Sequence, residues 1–132
     1  MVTHTQDQMR LSITRSSDNA VDFVRIVGDV DLSDTRALGL AARRLIDADA
    51  DASAVYVDLA GTTFMGSTLV AFLVHIGDND GRARRPLVLC RSSPMALRVI
   101  HMTGLDTVAT LRPDLPLLWQ DGDGEPAPPP AA

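Results

Sequence analysis

The stretch Val55–Ile76, VYVDLAGTTFMGSTLVAFLVHI, constrains the chain most: an apolar strand, a turn carrying Gly61 and Gly66, then a second apolar run opening on Ser67 and Thr68. Ala54–Ala60 is apolar at nearly every position and broken only by Asp58, the pattern of a central strand covered on both sides. Leu69, Val70, Phe72, Leu73, Val74 and Ile76 make the second run apolar all the way round, and periodicity alone does not separate a buried strand from a buried helix there. The hydroxyl pair after Gly66, and a polar exit of Asp78, Asn79 and Asp80 between Gly77 and Gly81, favour the helix. On a small domain such a helix is either covered by its own chain or shows part of itself to a partner.

The rest of the chain supplies the elements around this unit. Met9, Leu11 and Ile13 alternate with Arg10, Ser12 and Thr14, the period of a half-buried strand. Across a turn at Ser16-Ser17-Asp18-Asn19 follows a second strand, Ala20–Val27, so the two form a hairpin. After Gly28–Asp34, a helix over Thr35–Ala48 places Leu38, Ala41, Ala42 and Leu45 inward and Arg36, Arg43 and Arg44 outward. Pro86–Cys90 reads as a strand. Ser93-Pro94 starts a helix that carries Leu97, Ile100 and His101 toward the core and stops at Gly104, with Leu105 packing back. Thr107–Leu111 is a last strand; Pro113 and Pro116 then prevent a regular helix, and Leu117–Trp119 cap the edge of the core. The order β β α β α β α β predicts an α/β fold: a mixed sheet with an N-terminal antiparallel hairpin, then right-handed helical crossovers. Residues 1–8 are expected to be flexible, 9–119 to form the domain, and the Pro/Gly/Ala-rich residues 120–132 to be disordered.

Composition excludes several function classes. Twelve basic residues against 17 acidic ones give a net charge of −5, which disfavours a nucleic-acid partner without a basic stripe. Arg43–Arg44 and the Arg82–Arg85 loop are not interleaved with aromatics and read as solvated. With Cys90 the one cysteine, no intramolecular disulfide forms and no site of paired thiolates exists. Asp47, Asp49 and Asp51 lack the glycine and terminal Glu of a calcium loop, so no metal or cofactor is expected. No apolar run reaches the length of a membrane span and MVTHTQDQMR has no signal-peptide character, so a soluble, cytoplasmic chain is expected.

The turn itself invites catalytic readings that fail on chemistry. Gly61–Thr68 has the glycine spacing of a phosphate-binding loop, but that loop needs a Lys before its hydroxyl residue, and the chain has no Lys at all. An esterase elbow needs glycines on both sides of Ser67 at positions held by Met65 and Leu69. Neither His75 nor His101 is spaced to act as base for Ser67, so both read as surface or satisfied core imidazoles and no catalytic residue is assigned. Cys90 reads as a small buried hydrophobe, and Asp29 and Asp31 as turn and capping groups.

The run VDLAGTTFMGSTLVAFLV resembles the signature of STAS domains, in particular the bacterial anti-sigma factor antagonists. GDVDLSD at Gly28–Asp34 is similar to the family's segment before its first helix, and SSPMALRVIHMTGLD at Ser92–Asp106 to its last helix and turn. The resemblance spans Leu11–Leu111 and implies a STAS-like sheet with helices packed on it. It also implies partner switching: the unmodified domain binds an anti-sigma factor of the serine-kinase type and frees a sigma factor, and phosphorylation ends the binding, with a phosphoserine phosphatase as a further partner. By position, Ser67 matches the phosphorylated serine and Thr68 its hydroxyl neighbour, while Gly66 and Leu69 stand where the family usually has Asp and Gly. The expected contact surface is Gly66, Ser67, Thr68, Leu69 and Phe72. The alternative is a constitutive interaction or ligand-sensing module whose serine is never modified.

Overall fold

The computed structural model describes residues 8–16, 21–47, 54–77 and 85–120. The expected turn at 17–19, the acidic loop at 49–51, the helix exit at 78–81, and the termini 1–7 and 121–132 lie outside the described residues. The strands are β1 (Arg10–Arg15), β2 (Asp22–Asp29), β3 (Val55–Asp58), β4 (Thr62–Phe64), β5 (Leu87–Cys90) and β6 (Thr110–Arg112). The helices are α1 (Thr35–Asp47), α2 (Ser67–Gly77), α3 (Pro94–Thr103) and the single turn α4 (Leu117–Gln120).

The sheet runs β1-β2-β3-β5-β6, with β4 on β2 beyond the end of β3. β1 and β2 form the antiparallel hairpin, and every other pair is parallel. The crossovers through α1, α2 and α3 all step in one direction across the sheet. Right-handed crossovers that step one way put their helices on one face, so this face carries the main core: Val24, Ile26, Val55, Val57, Leu87 and Leu89 of the strands under Leu38, Leu45, Leu69, Leu73 and Ile100 of the helices.

The alternate residues point to the back face, where Val21, Phe23, Val88 and Cys90 form a second cluster with Leu115 and Trp119. Trp119 covers Phe23, with ring centroids 4.9 Å apart, and lies 4.9 Å from the Arg25 guanidinium carbon. The segment after Pro113 therefore forms one helical turn rather than none, because the apolar back face would otherwise be open to water. Leu117 of the expected cap instead faces solvent.

Local chemistry sets the helix ends. Ser93 Oγ accepts the Ala96 N–H at 3.1 Å, Pro94 begins α3, and Gly104 closes it at φ 77° with Leu105 buried behind it. His101 turns out to solvent rather than inward, its Nδ1 2.9 Å from Asp106 Oδ2. Thr107 also leaves the expected last strand: its N–H and hydroxyl both donate to the Gly104 carbonyl, in a 3-10 turn that delays β6 to Thr110. Arg85 is buried, not solvated. Its Nη1 lies 2.6 Å from Asp22 Oδ2 and donates to the Leu45 carbonyl at 3.1 Å, tying the last turn of α1 to the start of β2. Arg43 and Arg44 are exposed as expected.

Candidate functional site

β3 ends on Asp58, whose buried carboxylate is held from several sides. Oδ2 accepts Arg25 Nε at 3.1 Å and Arg91 Nη2 at 2.5 Å; Oδ1 accepts Arg91 Nε at 3.0 Å and the Ala60 N–H at 3.1 Å. Arg91 occupies the left-handed region at φ 55°, at a cost of about 1–2 kcal/mol for a residue with a Cβ. The fork to Asp58 holds it there and raises the guanidinium pKa. The turn after β3 starts from this anchored point.

Gly61 then passes so close to β2 that a Cβ would meet Val27 Cγ2 at 2.9 Å, and its carbonyl accepts the Gly28 N–H at 2.9 Å. Gly28 itself needs φ 94°, which favours glycine. This contact lets Thr62–Phe64 pair with β2 as β4, where the sequence suggests only a turn. Thr62 Oγ1 donates to the Ile26 carbonyl at 2.9 Å, and the Thr63 hydroxyl donates to Asp29. Three residues of mixed polarity flanked by glycines carry no strand periodicity, so pairing partners, not pattern, create β4.

Met65 drops into the core, and Gly66 accepts the Val70 N–H at 3.0 Å to begin α2. Ser67 is exposed, Thr68 and Gly66 are half-buried, and no described group hydrogen-bonds either hydroxyl. Leu69 has 0% exposure and Phe72 is also buried, so these two expected contact residues anchor α2 to the sheet. A run that is apolar all round does not reveal which side faces in; packing against α1 and the sheet decides it. Leu32 and Phe64, 80% and 59% exposed, take their place beside Ser67. Phe64 lies over Gly66, where a Cβ would meet its ring at 2.5 Å.

Two clefts share Leu32, Ser67 and Thr68. One, of about 500 Å³, is bordered by Asp29, Asp31, Phe64 and Gly66; the other, of about 470 Å³, runs between α1 and α2. Asp31 caps the 3-10 turn Leu32–Asp34 through a reciprocal bond with Asp34. The Ser33 hydroxyl and N–H, both donating to Asp31, hold its carboxyl below the ordinary 3.8. No described cation pairs with Asp29, Asp31 or Asp34. The site thus combines an exposed hydroxyl, two exposed apolar side chains and unneutralised carboxylates, a set suited to binding a protein surface with basic and apolar groups.

Of the other candidate groups, His75 lines the cleft between α1 and α2 but makes no hydrogen bond to Ser67, and His101 is engaged with Asp106. Cys90 is fully buried, and desolvation, with the Asp58 charge adding, pushes its thiol up to about 11. Among the described residues no cluster of potential metal ligands forms, and no helix is long and apolar enough to cross a membrane.

The family model described as Mlab, STAS domain matches residues 13–115. The solved structure of an anti-sigma factor antagonist from Mycobacterium paratuberculosis is similar to this chain at 26% identity, covering 82% of this chain and 88% of that one, with a TM-score of 0.67. A STAS domain protein from Planctomyces limnophilus shares the fold at 18% identity, covering 80% of this chain and 91% of that one, with a TM-score of 0.56. No curated protein matches the chain.

Proposed function

The chain belongs to the STAS domain family, and on that premise we propose that it is an anti-sigma factor antagonist: it binds an anti-sigma factor of the serine-kinase type through the surface around Ser67, frees a sigma factor, and is switched off by phosphorylation of Ser67. The observation that supports this reading is the placement of an exposed hydroxyl at the first turn of α2, between exposed Leu32 and Phe64. Leu32, Phe64, Gly66, Ser67 and Thr68 form the contact surface, with Leu69 and Phe72 setting it from beneath.

A phosphoserine at position 67 would carry about −1.5 to −2 charges at neutral pH. At the start of α2 the helix dipole favours that charge, so the fold stands. Asp29 and Asp31 border the same cleft, so a phosphate there adds to carboxylates already present, and the cost of desolvating that charge opposes an apolar contact through Leu32 and Phe64. Ser67 acts here as a substrate of the partner kinase and not as a nucleophile, having no base bonded to it among the described residues.

The test is a pull-down of candidate anti-sigma factors with wild type, Ser67→Ala and Ser67→Glu. Binding lost in the Glu variant alone supports the switch, and equal binding by all three overturns it. Intact mass after incubation with the partner kinase and ATP reads the modification directly, with Ser67→Ala and Thr68→Ala assigning the hydroxyl. A chain that binds without gaining a phosphate is the constitutive module instead.

A further inference from the structure

We propose that the cleft between α1 and α2 is a binding site for a small anionic amphiphile, a carboxylate joined to an aliphatic body. Leu38 and Phe72 form its floor, and Gly39, Ala42 and Ala71 its walls. At about 470 Å³ it falls within the roughly 300–1,000 Å³ of small-molecule sites, which are mostly apolar with a few polar groups.

Gly39 marks the cleft as kept open. A glycine inside a helix is destabilising, and neither backbone nor packing demands one here, since its added Cβ would meet nothing within 4 Å. Any larger side chain at this place projects into the cleft.

Charge selects the occupant. Among the described residues no carboxylate lines the cleft, although the chain carries a net −5. At 100° per residue, Arg43 and Arg36 lie roughly 40° and 60° round α1 from Gly39, on its solvent side. Both are exposed, and neither has an ion pair with a described residue. His75 is exposed on the facing helix and lines the cleft. An apolar floor with His75 in its wall and Arg36 and Arg43 flanking it on α1 complements an aliphatic body with an anionic head, whereas the neighbouring cleft with Asp29 and Asp31 repels one.

This site is additional to the partner-binding reading and does not rest on it. Because Ser67 and Thr68 border both clefts, a bound amphiphile sits beside the proposed partner surface.

The full chain, isotope-labelled, is titrated with decanoate, decanol and decylamine below their micelle concentrations while amide shifts are followed. Saturable shifts are expected within α1 and α2, with decanoate bound about tenfold more tightly than decylamine. Gly39→Leu, which introduces a good helix former and fills the cleft, removes the shifts while raising the thermal midpoint. Arg43→Glu weakens decanoate more than decanol. Absence of saturable shifts, equal binding of decylamine, shifts spread equally to Met95 and Met102 on α3, or binding unchanged in Gly39→Leu would each overturn the site. So would concentration-dependent shifts of the cleft residues without ligand, which would make a second copy of the chain the occupant.

Discussion

At the residue scale, Asp58 carries the largest single expectation. Truncating one partner of a buried ion pair costs about 3–5 kcal/mol. Asp58→Ala removes the carboxylate to which Arg25, whose side chain is 9% exposed, donates, and releases the fork that holds Arg91 in its left-handed conformation. Urea unfolding should show that loss, and Asp58→Leu combined with Arg25→Met should recover much of it, because well-packed apolar residues often replace a buried pair without penalty. Cys90 makes the opposite kind of prediction. Buried, with its thiol at about 11, it should resist a thiol reagent at pH 8 in the native state and react once urea unfolds the chain. Prompt labelling of the folded protein would contradict its burial.

At the element scale, α4 and α1 each isolate one effect. α4 is a single turn whose docking depends on Trp119, 2% exposed, against Phe23 and Arg25. Large-to-small substitution of a buried Trp costs about 3–5 kcal/mol, so Trp119→Ala should lower the urea midpoint by that order. Trp119→Phe should cost much less, since it keeps most of the packing and removes an indole N–H that has no hydrogen-bond partner among the described residues. As the chain's one tryptophan, Trp119 also reports α4 release through its own fluorescence. In α1, Gly39→Ala meets open space and should stabilise the protein by about 0.8–1 kcal/mol through helix propensity. A destabilised Gly39→Ala variant would mean that the cleft wall is tighter than the structure has it.

At the scale of the whole molecule, Asp22 links the hairpin, the end of α1 and the approach to β5 through Arg15 and Arg85. Burial raises its pKa, but the hydrogen bonds and charges of Arg15 and Arg85 outweigh this and leave the carboxyl below the ordinary 3.8. A depressed folded-state pKa stabilises the fold above the unfolded value, and that contribution disappears as pH falls through the folded one. The stability gap between wild type and Asp22→Asn should therefore be constant near neutrality, shrink below 3.8, and vanish in stronger acid. A gap that does not narrow would mean that the carboxylate's charge is not what holds these elements together.

Local chemistry decided most of the architecture. Alternation marked β1, helical spacing marked α1, and Ser93-Pro94 with Gly104 bounded α3, because each of these signals acts between residues a few positions apart. The order of elements and the handedness of crossovers then sufficed for a mixed sheet with an N-terminal antiparallel hairpin. The features around Ser67 depended on tertiary structure instead. β4 exists because Gly61 meets Gly28 across the sheet, and the exposed companions of Ser67 are Leu32 and Phe64, not Leu69 and Phe72. Arg85 is buried because Asp22 and the last turn of α1 converge on it. The sequence by itself determined that a hydroxyl pair stands at the start of α2; which side chains share its surface was decided when β2, the turn before α2 and the start of α1 came together, since burial belongs to contacts between segments far apart in the chain.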